Sequence, residues 1–130
     1  MSAVLHLASV GGEVPGEHKL LAPTLLRSQT LSALHEAVQR GEVPADIARD
    51  RLVRIDRMPI RLLGDAVLRR RAWDLADQLG WASTYNAEYV ALTLLQADAL
   101  ITLDGEFALS LHGIVAIASI DELHAPGSRQ

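Results

Sequence analysis

The chain has 130 residues, of which 49% are hydrophobic but only 4% aromatic, and it carries a net charge of −4 with no cysteine. This length is enough for one domain with a buried core, and the composition makes that core aliphatic. The lack of cysteine excludes disulfides, thiolate metal sites and cysteine nucleophiles. The negative charge argues against general nucleic-acid binding, so contact with RNA or DNA would need a local basic patch.

The arginines are the residues that could form such a patch. They are Arg49, Arg51, Arg54, Arg57, Arg61 and Arg69 to Arg71. The simpler interpretation is that these arginines lie on solvent-exposed helix faces, or in the last turns of helices, where a positive charge is favourable. No apolar run approaches 18 residues, and the first eight residues lack the basic start of a signal peptide. We therefore expect a cytoplasmic protein without a membrane contact, forming one domain over residues 1–130 with a frayed tail at 124–130.

Short apolar runs alternate with amphipathic stretches, which is typical of an α/β fold with a mostly parallel sheet. Buried strands are predicted at residues 19–22, 59–63, 99–103 and 114–118. Helices are predicted at residues 26–40, 44–55, 65–79, 84–95 and 105–111, with a last helical turn at 119–123. Residues 4–8 fit either a short strand or the opening of a helix, and glycines and prolines at 11–16 predict a loop.

Local signals predict the helix ends and the buried faces. Thr24 suits an N-cap, Pro44 suits a first helical turn, and Thr84 or Ser83 suits the cap of the helix that comes next. Gly41 and Gly80 suit the ends of the helices before them. Helical spacing predicts these inward-facing residues: Ile47, Leu52 and Ile55, then Leu68, Ala72, Leu75, Ala76 and Leu79, then Ala87, Val90, Ala91, Leu94 and Leu95.

Acidic and amide side chains gather around the third predicted strand. Asp104 comes directly after that strand, Glu88 lies on the helix before it, and Glu106 is two residues further on. Oxygen ligands of this kind suit Mg²⁺, and Asn86 and Gln29 could add neutral amide oxygens. Each residue also has a structural interpretation. Asp104 could cap the next helix, Glu88 could be a first-turn acid, Asn86 a capping residue and Gln29 an ordinary polar residue.

Other chemistry has less support from the sequence. The five histidines lack the spacing of a helical metal site. No nucleophile elbow, phosphate-binding loop or dinucleotide fingerprint is present. Trp73 and Trp81 are interpreted as core or interface anchors in preference to base-stacking platforms.

Three segments together resemble the PIN-domain family, in particular VapC-type toxins of bacterial toxin–antitoxin pairs. They are residues 72–76 (Ala-Trp-Asp-Leu-Ala), residues 84–92 (Thr-Tyr-Asn-Ala-Glu-Tyr-Val-Ala-Leu) and Leu103-Asp104. Residues 21–29 match the start of that family's second helix. The likeness extends over roughly residues 17–123.

The resemblance implies a three-layer α/β/α fold and an endoribonuclease that depends on Mg²⁺ or Mn²⁺. It also implies a homodimer, an antitoxin-like small protein as partner, and RNA as substrate. Asp104 and Glu88 are the expected catalytic residues, and Asp104 and Glu106 the expected metal ligands. Asn86, Gln29 and Thr102 are the expected substrate-binding residues.

Most of the acids that the family uses are replaced in this chain. Asn86 and Gln29 stand where the family has acids, and the aspartate that ends its first strand has no counterpart. Residues 2–5 resemble the segment that the family has directly after that aspartate, so either residues 3–8 serve as the strand or the true start lies upstream. We therefore expect a weakly bound metal and weak or lost activity. The alternatives are an active enzyme with a longer start and a non-catalytic α/β interaction module.

Overall fold

The computed structural model describes residues 1–10 and 19–124. The predicted loop at 11–16 and the predicted tail beyond residue 124 lie outside the described residues. The helices are α1 (Ser2–Val10), α2 (Leu25–Gln39), α3 (Ala45–Arg57), α4 (Ala66–Leu79), α5 (Tyr85–Gln96) and α6 (Gly105–Ser110). The strands are β1 (Leu20–Pro23), β2 (Ile60–Leu63), β3 (Leu100–Ile101) and β4 (Ile117–Ala118), and a 3₁₀ helix spans Ile120–His124.

The described strands form two parallel pairs, which confirms the α/β class. β1 pairs with β2, with Leu20 opposite Ile60, and β3 pairs with β4, with Leu100 opposite Ile117. β3 is shorter than the predicted strand at 99–103. The reason is local, because the Thr102 hydroxyl accepts a hydrogen bond from the backbone N–H of Asp104 at 3.1 Å and the chain turns there.

Two aliphatic clusters form the core. The larger one joins α4 and α5 to β3 and to the residue after α6, and its members are Leu68, Ala72, Leu75, Ala76, Ala87, Val90, Ala91, Leu92, Leu100 and Leu111. The smaller one joins α1, α2 and α3 through Ala8, Leu34, Ala48 and Ile55. Helical spacing on α4 predicted its buried face correctly.

The opening segment is a helix, so its helical interpretation is confirmed and the strand interpretation of residues 3–8 is wrong. Ala3, Leu7 and Ala8 are the buried residues of α1. These residues are four positions and then one position apart, which places them on one face of a helix. A strand would instead bury every second residue.

The inward-facing assignment is wrong at three predicted positions. Leu94 and Leu95 are 41% and 43% exposed, while Leu92 and Thr93 are buried, because the last turns of α5 face the space between β1 and β3. Ile47 is 41% exposed, and the next residue, Ala48, is buried in its place.

Several helix ends differ from the predicted caps. Thr24 and Thr84 occupy cap positions without a side-chain cap hydrogen bond, and the Ser83 hydroxyl accepts from the N–H of Tyr85 at 3.2 Å. Pro44 precedes α3 in an extended conformation, so it does not lie in the first turn. Gly80 ends α4 as predicted, at a left-handed φ of 71° that favours glycine.

Candidate functional site

A cleft of about 640 Å³ lies beyond the carboxyl ends of β1 and β3. Gln29 reaches it from α2, the helix after β1, and Asn86 reaches it from the first turn of α5. Asp104 and Glu106 come from the turn after β3 and the start of α6. The structure therefore brings together four of the six predicted site residues, at the sheet edge where α/β proteins commonly bind ligands.

Asp104 has a structural role in this cleft. Its Oδ1 accepts a hydrogen bond from the backbone N–H of Phe107 at 3.1 Å, which caps α6 and confirms the capping interpretation. A carboxylate has two oxygens with several lone pairs, so this bond leaves acceptor capacity for a ligand. Capping fixes where the charge lies and does not exclude a role in binding.

Thr102 and Ser2 support the turn that carries Asp104. The hydroxyl oxygens of Thr102 and Ser2 lie 3.3 Å apart, and the Ser2 hydroxyl accepts from the backbone N–H of Leu103 at 2.9 Å. The start of α1 is thereby tied to the end of β3. Thr102 acts here on the backbone and lies outside the residues that line the cleft, so its substrate-binding role remains a prediction.

Tyr89 orients Gln29. The phenol of Tyr89 donates a hydrogen bond to Oε1 of Gln29 at 2.6 Å. Burial, and then the nearby charge of Glu88, raise the pKa of Tyr89, so the phenol keeps its proton at neutral pH. This bond occupies one of the two lone pairs of the Gln29 oxygen, so the amide offers its N–H groups and one remaining acceptor site to a ligand.

Glu88 lies on a different side of α5 from Asn86. Residues that are two positions apart in a helix point about 200° apart around its axis, so the side chains of Asn86 and Glu88 diverge. Partial burial raises the pKa of Glu88, and the positive charge of Arg69 on α4 opposes that rise. Glu88 is thus beside α4 and outside the lining of the cleft, and its catalytic role remains a prediction.

The side chains of the cleft offer the oxygen ligands that a divalent cation prefers, but they carry little negative charge. The oxygen ligands of the cleft include the carboxylates of Asp104 and Glu106 and the amide of Asn86, which are hard ligands of the kind Mg²⁺ prefers. Within residues 1–10 and 19–124, no three acidic, histidine or cysteine side chains come together as a metal site. Two carboxylates alone would hold such a cation weakly, because its affinity depends on the number of charged ligands.

Sequence reasoning missed the contacts of Tyr89 and Ser2. Tyr89 could have been found, because it lies three residues after Asn86 and so shares its helix face. Ser2 carried no signal, since its partner Thr102 is 100 residues away.

Trp81 packs against the core, with its ring centroid 6.1 Å from that of Phe107, as a core anchor should. Trp73 is 65% exposed.

Among the described helices, none has both the length and the apolar character needed to cross a membrane. A scan against models of protein families and a search of curated proteins found no match to this sequence.

Proposed function

We propose that this chain is a PIN-like protein of the VapC type whose endoribonuclease activity is weak or lost. The observation that carries the proposal is the cleft in which Gln29, Asn86, Asp104 and Glu106 meet beyond the ends of two parallel strands. The resemblance implies a cation-binding site at this edge of the sheet. The cleft lies at that edge and offers oxygen ligands of the same kind, but amides stand at two positions where the family has acids.

The replacement of acids by amides accounts for the weak activity. Phosphodiester cleavage with divalent metals needs negative charge that holds the cation and places it against the phosphate. Only Asp104 and Glu106 contribute carboxylates to the lining of this cleft among the described residues. Gln29 cannot add charge, and its oxygen already accepts a hydrogen bond from Tyr89.

The proposal includes a three-layer α/β/α arrangement. The two separate core clusters support it, since one contains α4 and α5 and the other contains α1, α2 and α3. It also includes a cytoplasmic homodimer, an antitoxin-like small protein as partner, and RNA as substrate. Not every arginine is free to bind RNA, because Arg54 pairs with Asp50 at 3.1 Å and donates to the carbonyl of Ala8 at 3.0 Å.

Cleavage of a fluorescent RNA in Mn²⁺ or Mg²⁺ tests this function. The informative variant is Asp104→Asn, because asparagine caps a helix as well as aspartate does and only the charge is lost. Asp74→Asn on the exposed side of α4 is the matched control. We expect slow cleavage at most, abolished by Asp104→Asn and unchanged by Asp74→Asn. Rapid metal-dependent cleavage that survives Asp104→Asn would overturn the proposal.

The second candidate is a non-catalytic interaction module, and the exposed Trp73 favours it. A tryptophan that is 65% exposed is unusual on a monomer and typical of a protein interface. Trp73→Ser should weaken self-association in analytical ultracentrifugation, whereas Val67→Ser, at a 53% exposed position of the same helix, should not. A wild-type chain that stays monomeric and binds no partner would contradict this candidate.

A further inference from the structure

The exposed side of α4 carries its charges in an unusual order. Three arginines, Arg69 to Arg71, come before the middle of the helix, and Asp74 and Asp77 come after it. All five side chains are exposed. The dipole of the helix does not explain this order, because its last turn, where a positive charge is favourable, holds Asp77 and no basic residue. These charges therefore gain nothing from the dipole of α4.

Direct contacts within the chain do not neutralise these charges. Among the described residues, the ion pairs lie on α2, on α3 and in the turn between them, and none includes a residue of α4. Arg69 is near enough to Glu88 on α5 for its charge to oppose the rise in the pKa of that carboxyl group. Arg70 and Asp77 have no ion-pair partner in this part of the chain, so both are available to a second molecule.

Arg70, Trp73 and Asp77 form one line along the outside of α4, which we call the outer stripe. They are three and then four positions apart, so they lie within about 60° of one another around the helix axis. Leu68 and Leu75 are buried on the opposite side of the helix. Trp73 is 65% exposed and stands between the two charges. Arg70 and Asp77 are about 10 Å apart along the axis, at about 1.5 Å per residue.

We propose that the outer stripe binds the outer stripe of a second copy of this chain, with the two α4 helices antiparallel. A two-fold axis beside Trp73 reverses the direction of the helix, so Arg70 of each copy faces Asp77 of the other and the two indoles meet. A parallel arrangement would instead place like charges together. The proposal rests on the proposed function only for the existence of a homodimer, to which it assigns a surface, and it does not depend on RNA cleavage.

The charges and the size of the stripe specify the kind of dimer. An exposed indole supplies apolar contact area, and the two pairs of opposite charge set the direction in which the copies meet. Asp74 lies beside the stripe and faces its own copy near the axis, with Arg71 of the other copy within one turn. The face of α4 is about 21 Å long and about 10 Å wide, which is small for a protein interface. Dimerisation should therefore depend on protein concentration.

Charge reversal tests the proposal in sedimentation velocity over a series of protein concentrations. Arg70→Glu and Asp77→Arg should each raise the dimer dissociation constant at least about tenfold, because each turns two attractive contacts into two repulsive ones. An equimolar mixture of the two variants should dimerise again. In that mixture the introduced carboxylate faces the introduced guanidinium, and the unchanged Asp77 of one variant faces the unchanged Arg70 of the other. The matched control is Arg49→Glu with Asp56→Arg, two exposed positions of α3 with the same spacing of seven, which should leave dimerisation unchanged.

Each contrary result has a distinct meaning. A wild-type chain that stays monomeric up to about 1 mM would overturn the proposal together with the homodimer. A dimer that Arg70→Glu and Asp77→Arg leave unchanged would overturn the proposal but not the homodimer, since the interface would then lie elsewhere. Variants that are monomeric alone and remain so when mixed would overturn the antiparallel pairing. A monomeric chain that loses a different protein partner through Trp73→Ser would overturn the second copy as the occupant. RNA cleavage is measured separately, and its absence affects none of these results.

Discussion

Restoring charge to the cleft is the most direct test of why its activity should be weak. The double substitution Asn86→Asp and Gln29→Glu replaces two amides by carboxylates of nearly the same shape. It raises the number of carboxylates that line the cleft from two, Asp104 and Glu106, to four. Glutamate at position 29 keeps an acceptor for the phenol of Tyr89, so the 2.6 Å contact that orients this side chain is preserved.

The expected gain comes from electrostatics. A carboxylate about 4 Å from a divalent cation contributes about 2 kcal/mol at the dielectric constant of water, and salt reduces that value. A net gain near 1.4 kcal/mol is a factor of about ten in affinity, so the two carboxylates together should tighten Mn²⁺ binding by roughly a hundredfold. The lining of the cleft is open to solvent, which is why the aqueous value applies.

Isothermal calorimetry with Mn²⁺ measures this change. The matched control is Gln39→Glu with Gln78→Glu, which makes the same change of charge at two exposed helix positions outside the cleft. We expect the cleft variant to bind Mn²⁺ far more tightly than the control and to gain RNA cleavage. If the two variants bind equally, then charge in the cleft does not limit cation binding, and the explanation of weak activity is wrong.

Three further predictions concern stability in urea denaturation. Gly64→Ala places a methyl carbon 2.6 Å from Oγ1 of Thr24 and should cost about 1–3 kcal/mol, most of which Thr24→Ala should restore in the same chain. Asp65→Ala removes the side-chain cap of α4 and should cost about 1 kcal/mol, and a similar loss with Asp65→Asn would contradict the capping role. Burial raises the pKa of Glu88 above its ordinary value of 4.5. The folded state should therefore lose stability as the pH rises through that value and just beyond it. Glu88→Gln should lessen that loss, and an unchanged pH profile would count against the burial of this carboxyl group.

Most helices and strands were predictable because their signals are local. The apolar spacing and terminal glycine of α4 identify its length and its buried face, and the start of α2 is marked by a strand stopped by proline. The pairing of the strands was less accessible. β1 and β2 join residues that are distant in sequence, such as Leu20 and Ile60, and β3 and β4 join Leu100 and Ile117. Nothing in a single sequence shows that the two pairs stay separate among the described residues.

The candidate site was predictable where strand ends decide it. Asp104 and Glu106 come after β3, and Gln29 lies just after β1, so the topology alone brings them together. Helical spacing alone separates Glu88 from Asn86, but it does not show which neighbour Glu88 faces. Its direction depends on how α5 rotates against α4, and that rotation turns it toward Arg69. Packing of the whole helix pair sets this angle, which the residues around position 88 do not encode.

The two sides of the cleft follow β1 and β3, which do not pair with each other among the described residues. In this part of the chain, no backbone pairing between the two strands fixes the distance from Gln29 to Asp104. The two sides are joined by α5, which carries Asn86 into the cleft and holds Gln29 through Tyr89. We therefore expect cation affinity at the cleft to depend on two separate quantities, the number of carboxylates and how firmly α5 holds the two strand ends together.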